Sequence, residues 1–533
     1  MKKNLKKISA MFLAAMMVIG TVGCGASSGV GKGSEEATSD GGSGPTQITV
    51  AYNGLLTSLY PYQSQAPQFV SFQYSVLETL FRRSKDNALE LEPQIGESYT
   101  QIDEEGYSWE VKIKDYVHDS EGNEIKASDV IFSMRELEKS GFGVFYGYNQ
   151  IESLEAVDDY TIHVTLDNNE DQLIEQFLMI CPIISQKAFE QSSDEMATTL
   201  IATGPYKVKE FISGSSLTLE LNENYWEPDE SKRCWMSQTN VEVIKNIYIG
   251  ENSQLEVALE TGEVDFVDTI AASSLNLFEG NEDYTIVEVP ATSVFTMIIS
   301  GDANGPTSDL RVRQAIAHAI DQQGLIDAIY NGHATKTNFE MIALDDYQEA
   351  WADEVYYEYD PEKAAAKLAE AGYGPGELKL NFITSGSGVP VAELCEIYLE
   401  EAGFDITVNQ LEAAMFQSTL LKPTEFDLGM TYVGMLSNAV SFGARFDARK
   451  NNGMSLEGYQ DPELQSLVEA ATRRGHTEEE LDTLHRYMNE NVIDYPMLTL
   501  HYLSIYRSDC GIEELAFEEN NQKLYHCFKY SWN

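Results

Sequence analysis

Leu217, Leu219 and Leu221 alternate with Thr218 and Glu220, so this run carries apolar groups on one side and polar groups on the other. A period of two is the geometry of a strand with one buried face. Ser213-Gly214 joins the run to a preceding alternating stretch, Gly204-Pro205 supplies a turn, and Tyr225-Trp226 closes the unit with aromatic bulk. Residues 203–226 are therefore expected to form a turn feeding a hairpin. Residues 47–52, 108–114 and 158–166 alternate in the same way, with His163 on the solvent side of the last run. Other stretches carry the helical period. Val312, Ile316, Ala319 and Ile320 share one face behind Asp309, a capping residue. Asp360, Pro361 and Gly372 read as the cap, first position and stop of a second helix. Ser128 is expected to cap a third, and Gly262 to end a fourth before a strand. Residues 378–382, 392–402 and 404–408 read as strand, helix and strand, which implies a right-handed parallel unit.

The N-terminus has a different pattern. Lys2, Lys3, Lys6 and Lys7 precede an apolar run, 8–22, that is shorter than the roughly 20 residues of a membrane span. It ends in Thr21-Val22-Gly23-Cys24, which resembles a lipobox: residues 1–23 would be a signal peptide and Cys24 the lipid-modified new terminus. Thr21 stands where leucine is commonest. Residues 24–45, rich in Gly and Ser, read as a flexible leash. The match of 25–29 to G-x-S-x-G lacks a preceding strand and a following helix, so it carries no nucleophile.

At 533 residues the chain exceeds one ordinary core, and two or three domains are expected. A formal net charge of -51 argues against nucleic-acid binding. Cys181, Cys234, Cys395, Cys510 and Cys527 have irregular spacing and no C-x-x-C. Cys510 and Cys527 are the one pair worth considering as a bridge, and buried free thiols are the better expectation. The eight histidines lack metal-ligand spacing. The chain has neither H-E-x-x-H nor a P-loop, so no catalytic residue, metal or cofactor is expected.

The 203–226 unit resembles a signature of the extracytoplasmic solute-binding proteins, family 5, which serve peptide, nickel and oligosaccharide ABC importers. So do 118–119 with 125–133, 258–265, 309–321 and 359–373, in the same order. The acids among them are explained by capping and turns, and Arg311 and Arg313 by ion pairing with neighbouring acids. The resemblance implies an α/β, bilobed periplasmic-binding-protein-like fold of the large class, with an accessory domain and two crossings forming a hinge. It places lobe I at 46–71, 200–297 and 496–533, the accessory domain at 72–199, lobe II at 298–495, and the hinge near Met297 and Tyr495.

By the same resemblance the ligand would sit in an interlobe cleft. Tyr432, Met435, Asn438, Phe442 and Arg445 are the expected contributors from 426–446, joined by Ser385 in a Gly/Ser loop and Asn53 after the first strand. Peptide receptors of the family carry an aspartate near 435–438, paired with the ligand's ammonium group. This chain has no acid there until Asp447, and a buried ammonium without a counter-charge is costly. The expected function is capture of a short peptide or similar solute by a monomeric receptor, lipid-anchored at the outer face of the cytoplasmic membrane, for delivery to an ABC permease. An oligosaccharide receptor of the same family is the alternative ligand reading, and a secreted hydrolase the alternative from another class.

Overall fold

The structure is a computed structural model that describes residues 46–63, 67–85, 90–140, 147–339, 351, 354–434, 446, 461–518 and 523–531. Cys24, Met435, Asn438, Phe442 and Arg445 lie outside these. Eleven strands share one sheet: β1 (Gln47–Tyr52), β2 (Tyr206–Ile212), β3 (Ser216–Leu221), β4 (Val243–Tyr248), β5 (Phe266–Val267), β6 (Tyr284–Ile299), β7 (Ala334–Lys336), β8 (Lys379–Thr384), β9 (Asp405–Gln410), β10 (Leu428–Gly434) and β11 (Tyr495–Arg507). Their spatial order is β9-β8-β10-β6-β11-β5-β1-β4-β3-β2, with β7 also paired to β11.

Alternation explains why the strands fill two cores at once. From β1, Ile48, Val50 and Tyr52 enter one cluster and Ala51 another. From β6, Phe295, Met297 and Ile299 enter a third cluster and Ile298 a fourth. The first two clusters draw on β1 to β5 and the chain end; the others draw on β7 to β10 and the C-terminal part of β6. The molecule is bilobed because these apolar sets do not merge. A four-stranded antiparallel sheet, built on Gly96–Gln101, Ser108–Ile113, Ile151–Ala156 and Thr161–Leu166, shares the first core. His163, half-buried on that sheet, faces Glu110 at 3.3 Å.

The hairpin forms as its pattern requires: β2 and β3 are antiparallel, and Gly214 turns with φ +71°. Leu217 and Leu219 are fully buried, each contributing on the order of 1.5–3 kcal/mol. A Cβ on Gly204 would lie 2.4 Å from the carbonyl oxygen of Val76, so only glycine permits this approach. Tyr225 and Trp226 do more than supply bulk. The Tyr225 hydroxyl and Trp226 indole donate to the buried Glu78 carboxylate at 2.6 and 2.7 Å, with Ser237 at 2.9 Å. Burial raises the pKa of Glu78, and these bonds oppose that rise.

Asp309 and Asp360 cap their helices, Leu310–Ala319 and Pro361–Ala371, as expected. The helix Ala127–Lys139 corrects the expectation for Ser128. Its N-cap is Lys126, two residues earlier, and Asp129 instead accepts from the backbone N–H of Lys126 at 2.9 Å, while its other oxygen accepts from Gln186. A carboxylate with two acceptor atoms can cap its own helix and tether a neighbouring segment, which one hydroxyl cannot. Arg311 pairs with Asp309 as expected. Arg313 instead donates to the carbonyls of Asn491, Thr307 and Ser308, pinning loops rather than neutralising an acid. The five described cysteines are free thiols, Cys510 and Cys527 among them.

Candidate functional site

Two long strands, β6 and β11, run antiparallel through both lobes. Residues Tyr284 to Pro290 pair with Arg507 to His501, and Val294 to Met297 pair with Thr499 to Tyr495, with a register shift between Pro290 and Val294. A shift of this kind bends and twists a ribbon locally. On one side of it β11 pairs with β5; on the other, β11 pairs with β7 and β6 pairs with β10.

Strand direction then fixes where the strand ends of each lobe lie. In the first lobe β1, β4 and β5 are mutually parallel, and β5 is antiparallel to β11. In the second, β8 is parallel to β9 and β10, and β10 is antiparallel to β6. Gly434, the last residue of β10, sits opposite Ser293 beside the register shift, and Val267, the last of β5, sits opposite Ile505. The carboxyl ends of both sets therefore face the same bend from opposite sides. Open α/β sheets bind ligands outside those ends.

The described residues singled out from the sequence all occupy such ends. Asn53 follows β1, and its amide donates to the Asn252 side chain at 2.7 Å, tying the strand end to the helix Asn252–Glu260. Ser385 follows β8, and its side chain makes no capping bond to the turn Gly386–Gly388. A Cβ on Gly388 would come within 2.7 Å of the Thr384 hydroxyl and 3.1 Å of the Met430 carbonyl, so the loop closes onto β10 only with glycine there. The Thr384 hydroxyl is buried, with no hydrogen-bond partner among the described residues. Tyr432, on β10, packs edge-to-face on Phe295 at 4.4 Å and stays 37 % exposed. Partial burial, with Tyr330 and Tyr502 nearby, pushes its phenol upward, so it is a neutral donor at physiological pH. No described contact joins Asn53 to Ser385 or Tyr432.

Sequence reasoning missed the polar floor of the first lobe. Asp268, directly after β5, is buried and accepts from the Tyr525 hydroxyl at 2.6 Å and the Thr269 hydroxyl at 3.0 Å. Lys523 brings its ammonium 3.4 Å from the same carboxylate and 3.0 Å from the Asp268 carbonyl, over the Tyr502 ring at 5.9 Å. The partners lie 255 and 257 residues apart, and no local pattern marks them. A second constellation sits on the crossing ribbon, where Glu288 contacts both His333 and His501. Among the described residues no group of three or more His, Cys, Asp or Glu side chains is arranged to hold a metal ion.

Described cavities lie away from these strand ends. One of about 330 Å³ in the second lobe is lined by Asp321, Glu354, Tyr356, Tyr357 and Tyr359, among others. Among the described residues no helix is long and apolar enough to cross a membrane.

Two lobes joined by a two-strand ribbon, with opposed carboxyl ends, define the class of two-lobed solute-binding proteins. The chain belongs to the bacterial extracellular solute-binding proteins, family 5, whose model matches residues 90–452. It is 25% identical over 335 residues to the glutathione-binding protein GsiB of Escherichia coli (strain K12), a match that covers 62% of each chain. Among solved structures it resembles NikA from Brucella suis in complex with Fe(III)-EDTA, with a TM-score of 0.74 and 19% identity over 91% of this chain and 100% of that one. A dipeptide-binding protein from Pseudoalteromonas sp. SM9913 in complex with Met-Leu gives a TM-score of 0.73 and 16% identity with the same coverage. At these identities the structures show the fold alone.

Proposed function

We propose that this protein is the receptor of an ABC importer, capturing a short peptide between its lobes and presenting it to the permease. One observation carries the reading: the carboxyl ends of two parallel strand sets face each other across a bend in β6 and β11. A ligand touching both sets favours the closed arrangement by its extra contacts, and a permease can read that difference. Binding is the whole chemistry, with no cofactor, no catalytic residue and a monomeric chain. The glutathione-binding relatives support a peptide of two or three residues.

In this reading Tyr432, Ser385 and Asn53 border the ligand, with Met435, Asn438, Phe442 and Arg445 on the segment after β10. The lobes follow 46–71, 200–290 and 501–533 against 294–499, with 72–199 accessory; the crossings expected near Met297 and Tyr495 move to the Pro290–Val294 register shift, because Phe295, Met297, Met497 and Leu498 pack in the second lobe's core. Residues 1–23 direct export, Cys24 carries the lipid, and 24–45 form the leash that holds the body near the outer face of the cytoplasmic membrane.

Calorimetric titration with reduced glutathione, trialanine, maltotriose and a nickel–histidine complex tests this. Saturable binding of a peptide, recovered intact, supports it. Binding of maltotriose alone, or cleavage of the peptide, overturns it. Replacing Cys24→Ala is expected to move the protein from the membrane fraction to the medium or periplasm.

A further inference from the structure

Glu288 is the one charged residue of β6. It sits opposite Leu503 of β11, while His501 sits opposite Pro290, so Glu288 and His501 are diagonal neighbours on the ribbon. The Nδ1 of His501 lies 2.5 Å from Glu288 Oε1, and the Nδ1 of His333 lies 3.0 Å from the same oxygen. His333 immediately precedes β7, whose Ala334 belongs to the second lobe's core. Leu503, across from Glu288, belongs to a core of the first lobe. The Nε2 of His501 meets the Thr335 hydroxyl of β7 at 2.8 Å. Three side chains thus span the bend: one on the first lobe's half of β6, one at the pivot, and one on the second lobe.

We propose that Glu288, His501 and His333 form a proton-responsive tie across the hinge, one that restrains the spread of lobe positions more tightly in acid than in mild alkali. The inference rests on the reading of β6 and β11 as the pivot of a closing receptor. With neutral rings, each imidazole donates from Nδ1 to one carboxylate oxygen, and the Thr335 hydroxyl donates to His501 Nε2. A proton added at Nε2 leaves both Nδ1 bonds in place and turns each from a neutral imidazole on a carboxylate into an imidazolium–carboxylate ion pair, charged on the donor as well as the acceptor. Thr335 then accepts instead of donating, because a hydroxyl can rotate to do either. Imidazole is the side chain whose ordinary charge change lies between about pH 5 and 8.

The surroundings support this. Burial opposes the charge of Glu288, but the bonds from His501 and His333 outweigh it and hold the carboxyl below its usual range. The other charged side chains on the packed elements are Lys336 of β7, Asp327 of the helix Gln322–Tyr330, and Arg507, which pairs with Asp509. Tyr330 and Tyr432, pushed up by burial, stay protonated throughout.

The test is the interlobe distance distribution of the full, ligand-free chain, from spin labels on p-acetylphenylalanine placed at Val257 and Ile397. Both residues are over half exposed, one on a helix of each lobe. The distribution is expected to narrow between about pH 8 and about pH 5.5, and both Glu288→Gln and His333→Gln should abolish the narrowing. An unchanged width in the native chain overturns the tie, as does narrowing that persists in either variant that folds. Trialanine added at the higher pH separates the two readings. If the peptide shifts the mean distance while acid leaves the width alone, the tie is wrong and the receptor stands. If acid narrows the distribution in a Glu288-dependent way and no peptide moves it, the tie stands and the peptide reading fails.

Discussion

The strand ends of the two lobes are furnished differently. In the first lobe Asp268, Lys523, Tyr525, Thr269 and Ser504 satisfy one another in a buried network. In the second, Tyr432 is partly exposed, Ser385 makes no capping bond, and the Thr384 hydroxyl has no partner among the described residues. A closed network has little left to offer a ligand, and it makes a stiff platform. An unfinished set of donors is where a ligand gains. Under the proposed function, the first lobe would serve as the platform and the second as the recognition surface.

The largest expected effect breaks the platform. Lys523→Met leaves Asp268 as a buried unpaired charge and should cost about 3–5 kcal/mol of stability, read from urea unfolding. An unchanged midpoint would remove the stiff half of the contrast. The first lobe also carries an acid-sensitive group. His526 is fully buried, its Nε2 donating to the Met236 carbonyl at 2.8 Å and its Nδ1 unpartnered, and burial lowers its pKa from 6.5 to about 4. Below pH 6.5 the unfolded chain takes up a proton that the folded chain refuses. Stability should therefore fall by roughly 1.4 kcal/mol per unit from about pH 6.5 down to about pH 4, then level off. His526→Gln should reduce the slope to the part set by His485 of the second lobe, whose pKa burial also lowers to about 4.

Smaller effects belong to the second lobe. Gly388→Ala forces a methyl toward Thr384 and Met430, at a cost of about 1–3 kcal/mol in unfolding experiments. Tyr432→Ala should weaken peptide binding by about 1–2 kcal/mol, read by calorimetry, with the unfolding midpoint nearly unchanged. If instead it destabilises as Lys523→Met does, Tyr432 is core and the contrast between the lobes fails.

What the sequence made legible follows from distance along the chain. Alternation and capping act within a few residues, so the hairpin at 206–221 and the caps Asp309 and Asp360 could be read directly. Ser128 misled because Asp129, next to it, offers two oxygens and the sequence does not say which side chain turns back. Arg313 misled because its acceptors are carbonyls, which no residue type announces. Asp268 with Lys523, and Glu288 with His333 and His501, meet only after the sheet has formed. The turn after β8 was visible as Gly and Ser, but its closeness to Met430 depends on β8 and β10 lying side by side.

The central claim is that two lobes close on a captured peptide, and solution scattering of the full chain titrated with trialanine and reduced glutathione tests it most directly. The account predicts a saturable fall in the radius of gyration with a binding peptide, shifted to higher concentration in Tyr432→Ala. Superimposable curves at concentrations where calorimetry shows the peptide bound would contradict it.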